Sequence, residues 1–132
     1  MPEKKTLERA RRDKRQGKAG TTQAGEFVRE EIEHVRHGKH GARSTKQAIA
    51  IGLSKARRAG VKLKPPAKGR TSRSTRRRAQ RDYAVGQSGR PRTPSRRRAR
   101  AAVGALKREP HRTVSRNALS RQARRAARRR RR

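Results

Sequence analysis

The sequence predicts a mainly α fold: a small helical hairpin over about residues 22–63, followed by an Arg/Ala-rich tail that is largely disordered or conditionally helical. Three observations carry this expectation. Apolar residues recur at helical spacing in the middle of the chain. Leu, Ile, Val and Phe together number only 15 of 132 residues, about 11 per cent, whereas a highly charged chain below roughly 20 per cent is expected to be largely disordered. The charge is also uneven: residues 1–33 carry +2, residues 34–63 carry +8 and residues 64–132 carry +24 of the total of +34. A near-neutral head, a basic middle and a very basic tail mark an interaction tail beside a more structured module. The division that follows is 1–21, 22–63 and 64–132.

Within the first segment, Thr6 to Arg15 reads as a short polar helix with Leu7 as its only large apolar residue. Alone it would be solvated and frayed. Gly17 to Thr21 reads as a linker. Thr22 then offers a helix cap, with Glu26 in the first turn, where an acid suits the helix dipole. Ala24, Val28, Ile32 and Val35 follow as one apolar stripe with Phe27 beside them, and Gly38 and Gly41 end the helix. Ser44-Thr45-Lys46-Gln47 has the form of a capping box and opens a second helix. Ile49, Leu53 and Ala56 line one face of that helix, Ala48 and Ile51 widen the stripe, and Gly52 allows close approach. Gly60 is a natural left-handed stop, onto which Val61 or Leu63 can fold back, and Pro65-Pro66 forbids continuation.

The tail is biased rather than random. Thr75 to Ala84 reads as a short helix with Ala79 and Tyr83 on one side, and Gly86 to Arg92 as a loop. Thr93-Pro94 places a cap and a first-turn proline before a helix with Ala99, Ala102, Val103 and Leu106 at i, i+3, i+4 and i+7. Pro110 stops it. Ser115 starts a last helix with Leu119, Ala123, Ala126 and Ala127 on one face. Because Arg repels Arg along these helices, order is expected chiefly when phosphates are bound. A hydroxyl precedes a basic helix start at Ser44, Ser74, Ser95 and Ser120, at spacings too irregular for a solenoid.

These features exclude most function classes. With no cysteine, disulfide scaffolds, zinc ribbons and thiolate catalysis drop out. No apolar run approaches the roughly 20 residues of a membrane span. The start, Met1-Pro2-Glu3-Lys4-Lys5, lacks the apolar stretch of a secretory signal, so a cytoplasmic protein is expected. Nothing resembles a nucleophile with its base or a Gly-rich phosphate loop, so no enzyme, cofactor or small-molecule substrate is expected.

The cations point elsewhere. Arg outnumbers Lys by 32 to 11, and Arg makes paired hydrogen bonds to phosphate. A tail of this charge needs an acidic partner, and nucleic acid fits best. Anionic lipid fits poorly, because the basic helices lack the Trp, Phe and Leu that enter a bilayer surface. The candidate nucleic-acid-binding residues are Arg57, Arg58, Arg76, Arg77, Arg78, Arg96, Arg97, Arg98, Arg124, Arg125, Arg128, Arg129, Arg130, Arg131 and Arg132. Lacking a compact three-helix support and a set of stacking aromatics, the chain is expected to read phosphates rather than sequence. Ser72, Ser74, Ser95 and Ser120 lie beside Arg and could accept a phosphate. His34, His37 and His40 recur every third residue, but the first two share a helix end, where a cation suits the dipole, and no Cys or nearby free carboxylate pair completes a site, so no metal is expected. Glu30, Glu31 and Glu33 read as an exposed acidic face that balances neighbouring cations.

The stretches Gly25-Glu26-Phe27-Val28-Arg29-Glu30-Glu31-Ile32-Glu33-His34-Val35-Arg36 and Gly38-Lys39-His40-Gly41-Ala42-Arg43-Ser44-Thr45-Lys46-Gln47-Ala48-Ile49-Ala50-Ile51-Gly52-Leu53 resemble a family of short, strongly basic bacterial proteins of unknown function. Ala118-Leu119-Ser120-Arg121-Gln122-Ala123-Arg124 is similar to the C-terminal ends of that family. The resemblance implies a bacterial, cytoplasmic setting and at most generic DNA binding, with no catalytic residues. In composition the tail also resembles the basic tails of linker histones and histone-like bacterial proteins. The expectation is therefore a non-enzymatic, nucleoid-associated DNA-binding protein. An RNA- or ribosome-associated protein is one alternative, and an adaptor docking a protein through Glu30, Glu31 and Glu33 is another.

Overall fold

A computed structural model describes residues 2–89 and 95–131. Among these residues the chain forms six helices and one short 3-10 turn, with no strand. The helices are α1 (Lys4–Arg15), α2 (Gly20–Arg36), α3 (Thr45–Arg58), α4 (Arg73–Ser88), α5 (Arg96–Lys107) and α6 (Arg116–Arg131), with the 3-10 turn at Arg112–Val114. The expected Thr93-Pro94 helix start and residues 90–92 of the expected loop lie outside the described residues. The mainly α class stands.

Local chemistry explains the helix ends. The first three helices stop in the same way. After α1 the Lys18 N–H reaches the Asp13 carbonyl, after α2 the Lys39 N–H reaches that of His34, and after α3 the Val61 N–H reaches that of Ala56. Gly17, Gly38 and Gly60 stand at the turning point with positive φ, the left-handed conformation that closes such a motif. Ser44 accepts from the Gln47 N–H at 3.1 Å, and the Gln47 side chain reaches back to the Arg43 N–H at 2.6 Å. This is the expected capping box, displaced by one residue in its return bond. Ser72, Ser95 and Ser115 cap α4, α5 and α6 by accepting from Thr75, Arg98 and Ala118.

The chain divides into two compact units. Of the described residues, one unit takes those within Met1–Glu30 and Ile51–Thr93, and the other those within Glu31–Ala50 and Pro94–Arg132. In the first unit, Ala10, Ala24, Phe27, Ala56 and Val61 form a buried cluster with Leu7, Leu53 and Leu63 against it. Helix α1 is therefore packed rather than solvated: Thr6, Ala10 and Asp13 all face inward, one turn apart. Gly52 sits so close to Val28 that a Cβ would lie 2.6 Å from its Cα, the close approach that the sequence predicts. The expected linker is shorter, because α2 begins at Gly20. Helix α4 runs past the expected end at Ala84 to Ser88 and closes on Gly89 in the left-handed conformation.

The second unit is built around Val35, Ala42, Ala48 and Val114, with Ile32 packed against them. Here the described tail residues are helical and docked, which, of the expected largely disordered or conditionally helical states, corrects the disordered one. Its backbone is held by partners that composition does not reveal. The Gly41 N–H donates to the Leu106 carbonyl at 2.7 Å, and the Ala42 N–H to that of Pro110 at 2.9 Å. The Thr113 hydroxyl donates to the Ala42 carbonyl at 3.0 Å, and the Thr45 hydroxyl to that of Thr113. Arg36 Nε donates to the Val114 carbonyl at 3.3 Å. A Cβ at position 41 would collide with the Glu109 carbonyl, so only glycine lets the two segments meet. The apolar faces within the tail also differ from expectation. Helix α5 buries none of its residues and leaves Val103 46% exposed, while α6 turns Ala118 inward and leaves Ala123 exposed.

Candidate nucleic-acid interface

The second unit carries an open groove of about 970 Å³ lined by Arg43, Arg112, Arg121, Arg124, Arg125 and Arg128 and, among the described residues, by no acidic one. Four of these arginines lie at i, i+3, i+4 and i+7 on α6, which places them along one helix face. Arg43 precedes the capping serine of α3, and Arg112 opens the 3-10 turn. The remaining lining is polar: Ser44, Thr45, Thr113, Ser115 and Asn117, with Ala118. Ser44–Thr45 and Ser115–Asn117 are the starts of α3 and α6, so the positive ends of two helix dipoles reach the same groove. Such ends attract phosphate, and six guanidinium groups add charge and paired donors.

The residues expected to bind nucleic acid are distributed unequally. Arg124, Arg125 and Arg128 line the groove, and Arg129, Arg130 and Arg131 are exposed farther along α6. Arg132 lies outside the described residues. Arg77, Arg78, Arg96, Arg97 and Arg98 are exposed on α4 and α5, whereas Arg76 donates through Nε to the Pro66 carbonyl at 3.3 Å.

Arg57 differs from all of these. It is buried, and its Nε and Nη2 donate to the carbonyls of Leu63 and Lys64 at 3.1 and 3.3 Å. Burial lowers its pKa from the ordinary arginine value, and the Asp82 carboxylate partly restores it. Its guanidinium thus ties down the turn after α3. Arg58 is more open, but its Nε pairs with Asp82 at 2.8 Å, and the Ser54 hydroxyl donates to the other oxygen of Asp82 at 2.7 Å.

Sequence reasoning missed Arg43, Arg112 and Arg121. Arg121 was findable, since it shares the helical period of Arg124, Arg125 and Arg128. Arg43 and Arg112 join the groove only through the fold. The acidic face is also different from expectation. Glu30 and Glu31 are 3% and 1% exposed, because the helical period that carries Phe27 and Val35 inward carries Glu31 with them. Glu30 accepts from the Glu3 N–H and pairs with Lys55 at 3.7 Å. Two of the three acids therefore do not form a surface.

No helix of the described residues is long and apolar enough to cross a membrane. No curated protein and no solved structure matches the chain. The pattern of a family of unknown function (DUF6496) matches residues 3–68, which include the first three helices and the capping box. The chain belongs to that family.

Proposed function

We propose that the chain is a non-enzymatic nucleic-acid-binding protein that grips sugar–phosphate backbone in the arginine groove of its second unit. The observation that carries this reading is the groove itself: six arginines and two helix starts, with no acid among the lining residues. The net charge of +34 supports it, since a field of that size draws polyanions from a distance. The few aromatics, one Phe and one Tyr, leave little for base stacking and favour sequence-tolerant contact with phosphates. Duplex DNA is the favoured substrate and a cytoplasmic, nucleoid-associated role the finer reading. In it, residues 22–63 act as a helical hairpin that helps to support the groove from the start of α3.

The test is duplex affinity against salt for the full chain. Six arginines each neutralising one phosphate give a slope of log affinity on log salt of about −5.4. Changing Arg121, Arg124, Arg125 and Arg128 together to Gln should reduce its magnitude by about 3.6. Changing Arg11, Arg12, Lys14 and Arg15, exposed on α1, removes the same charge and should leave most of the slope. Equal effects from the two sets would refute the groove as the contact surface. Running structured RNA beside DNA at equal salt separates the two nucleic acids.

A further inference from the structure

Glu31 and His34 stand one turn apart near the end of α2, and the glycine turn at Gly38 brings His40 back beside them. All three belong to the second unit. His40 Nε2 lies 3.3 Å from Glu31 Oε2, and His34 Nδ1 lies 3.8 Å from Glu31 Oε1. The two imidazoles meet edge to face, with centroids 5.9 Å apart. One ligand atom from each of the three residues falls within 4.8 Å of the others. Glu31 is fully enclosed, and the two histidine side chains are 14% and 13% exposed.

Hydrogen bonding fixes what this arrangement needs. His40 Nδ1 lies 2.9 Å from the Gly41 carbonyl. A carbonyl oxygen only accepts, so Nδ1 carries a hydrogen. In the neutral ring Nε2 then presents its lone pair to the Glu31 carboxylate, and two acceptors face each other at 3.3 Å. A positive species belongs between them, either a proton or a metal ion. Three donors converging rather than two favours the metal. Around a tetrahedral Zn²⁺ with bonds of about 2.0–2.1 Å, neighbouring ligand atoms stand about 3.3 Å apart. The bond from the other ring nitrogen of His40 to a backbone carbonyl is the outer support that metal-bound histidines commonly have.

We propose that Glu31, His34 and His40 form a binding site for a divalent transition-metal ion of the zinc class, with water completing the coordination. The ion joins the end of α2 to the loop that leads into Gly41 and Ala42, the residues that hold the tail. This inference goes beyond the nucleic-acid reading and does not depend on it.

The experiment uses the untagged full chain, stripped with a chelator. Zn²⁺ is titrated calorimetrically, Co²⁺ is added for its visible spectrum, and histidine ring nitrogens are followed by NMR. One zinc should bind, Co²⁺ should give tetrahedral absorption bands, and the shifted nitrogens should be Nε2 of His40 and Nδ1 of His34. Losing an outer support of a metal site weakens binding by about 10–100-fold, so losing a ligand in His40→Ala or Glu31→Gln should weaken it by at least about 100-fold. His37→Ala, an exposed residue, should leave affinity unchanged. If those substitutions unfold the chain, the wild-type nitrogen shifts still decide. No zinc binding, a proton retained on Nε2 of His40 in the presence of zinc, or loss of binding only in His37→Ala would overturn the proposal.

Discussion

Replacing Gly41 by alanine tests the docking of the tail at its narrowest point. The new methyl group would collide with the Glu109 carbonyl, a backbone atom that no side-chain rotation can move aside. The segment around Glu109 must then shift, and the bonds from the Gly41 and Ala42 N–H groups to the carbonyls of Leu106 and Pro110 go with it. Two backbone hydrogen bonds contribute about 1 kcal/mol each, and forcing a methyl group into a packed site costs about 1–3 kcal/mol more. The expected destabilisation is thus roughly 3–5 kcal/mol, a fall in melting temperature of roughly 12–20 °C at about 4 °C per kcal/mol. Circular dichroism at 222 nm reports the melt (a standard helix wavelength), and hydrogen exchange at the Ala42 amide reports the contact itself. A Gly41→Ala chain that melts within about 2 °C of the wild type, with its Ala42 amide still protected, would show that the tail is not held here and would refute the reasoning.

Three further outcomes follow from particular residues. Phe27→Ala removes the largest side chain of the first cluster and should cost about 3–5 kcal/mol in denaturant titration; a loss under about 1 kcal/mol would mean that the cluster is not formed. Arg57→Ala should lower stability by about 1–3 kcal/mol through its lost bonds to the turn after α3, while the salt slope of nucleic-acid binding stays the same; a slope reduced by about one would instead make Arg57 a phosphate contact. Asp82→Asn should cost about 1–2 kcal/mol, because both Ser54 and Arg58 bond its carboxylate, and restoring stability by also changing Arg58 to Met would confirm that the pair acts together.

Much of the helical framework is legible in the sequence. The stripe of Ala24, Val28, Ile32 and Val35 with Phe27 beside it, of which Ala24, Phe27 and Val35 are the fully buried members, the capping box at Ser44, the glycine stops at Gly38 and Gly60 and the close approach at Gly52 all depend on local rules. What escaped depends on long-range geometry. Composition favours a largely disordered or conditionally helical tail, yet the tail is held by backbone groups of Gly41 and Ala42, and a backbone donor has no side-chain signature. Glu31 lies on the buried period of α2, but its residue type argued for the surface. The α6 side of the groove was visible as a helical spacing of arginines. Its other side needed Arg43 and Arg112, which are 69 residues apart in sequence and meet only through the packing of the second unit.

Among the described residues, the buried clusters contain five residues in one unit and four in the other, and alanine makes up five of the nine. Alanine brings little hydrocarbon out of water, so melting this chain exposes an unusually polar surface. Apolar exposure raises the heat capacity and polar exposure lowers it. An ordinary chain of this length would gain about 1.6–2.0 kcal/mol/K on unfolding, and this one should fall well below that. Its stability curve is then shallow: cooling weakens it little, and warming moves it slowly toward the midpoint. Dissolved anions, which reach the crowded guanidinium groups directly, should therefore govern its persistence more strongly than temperature does.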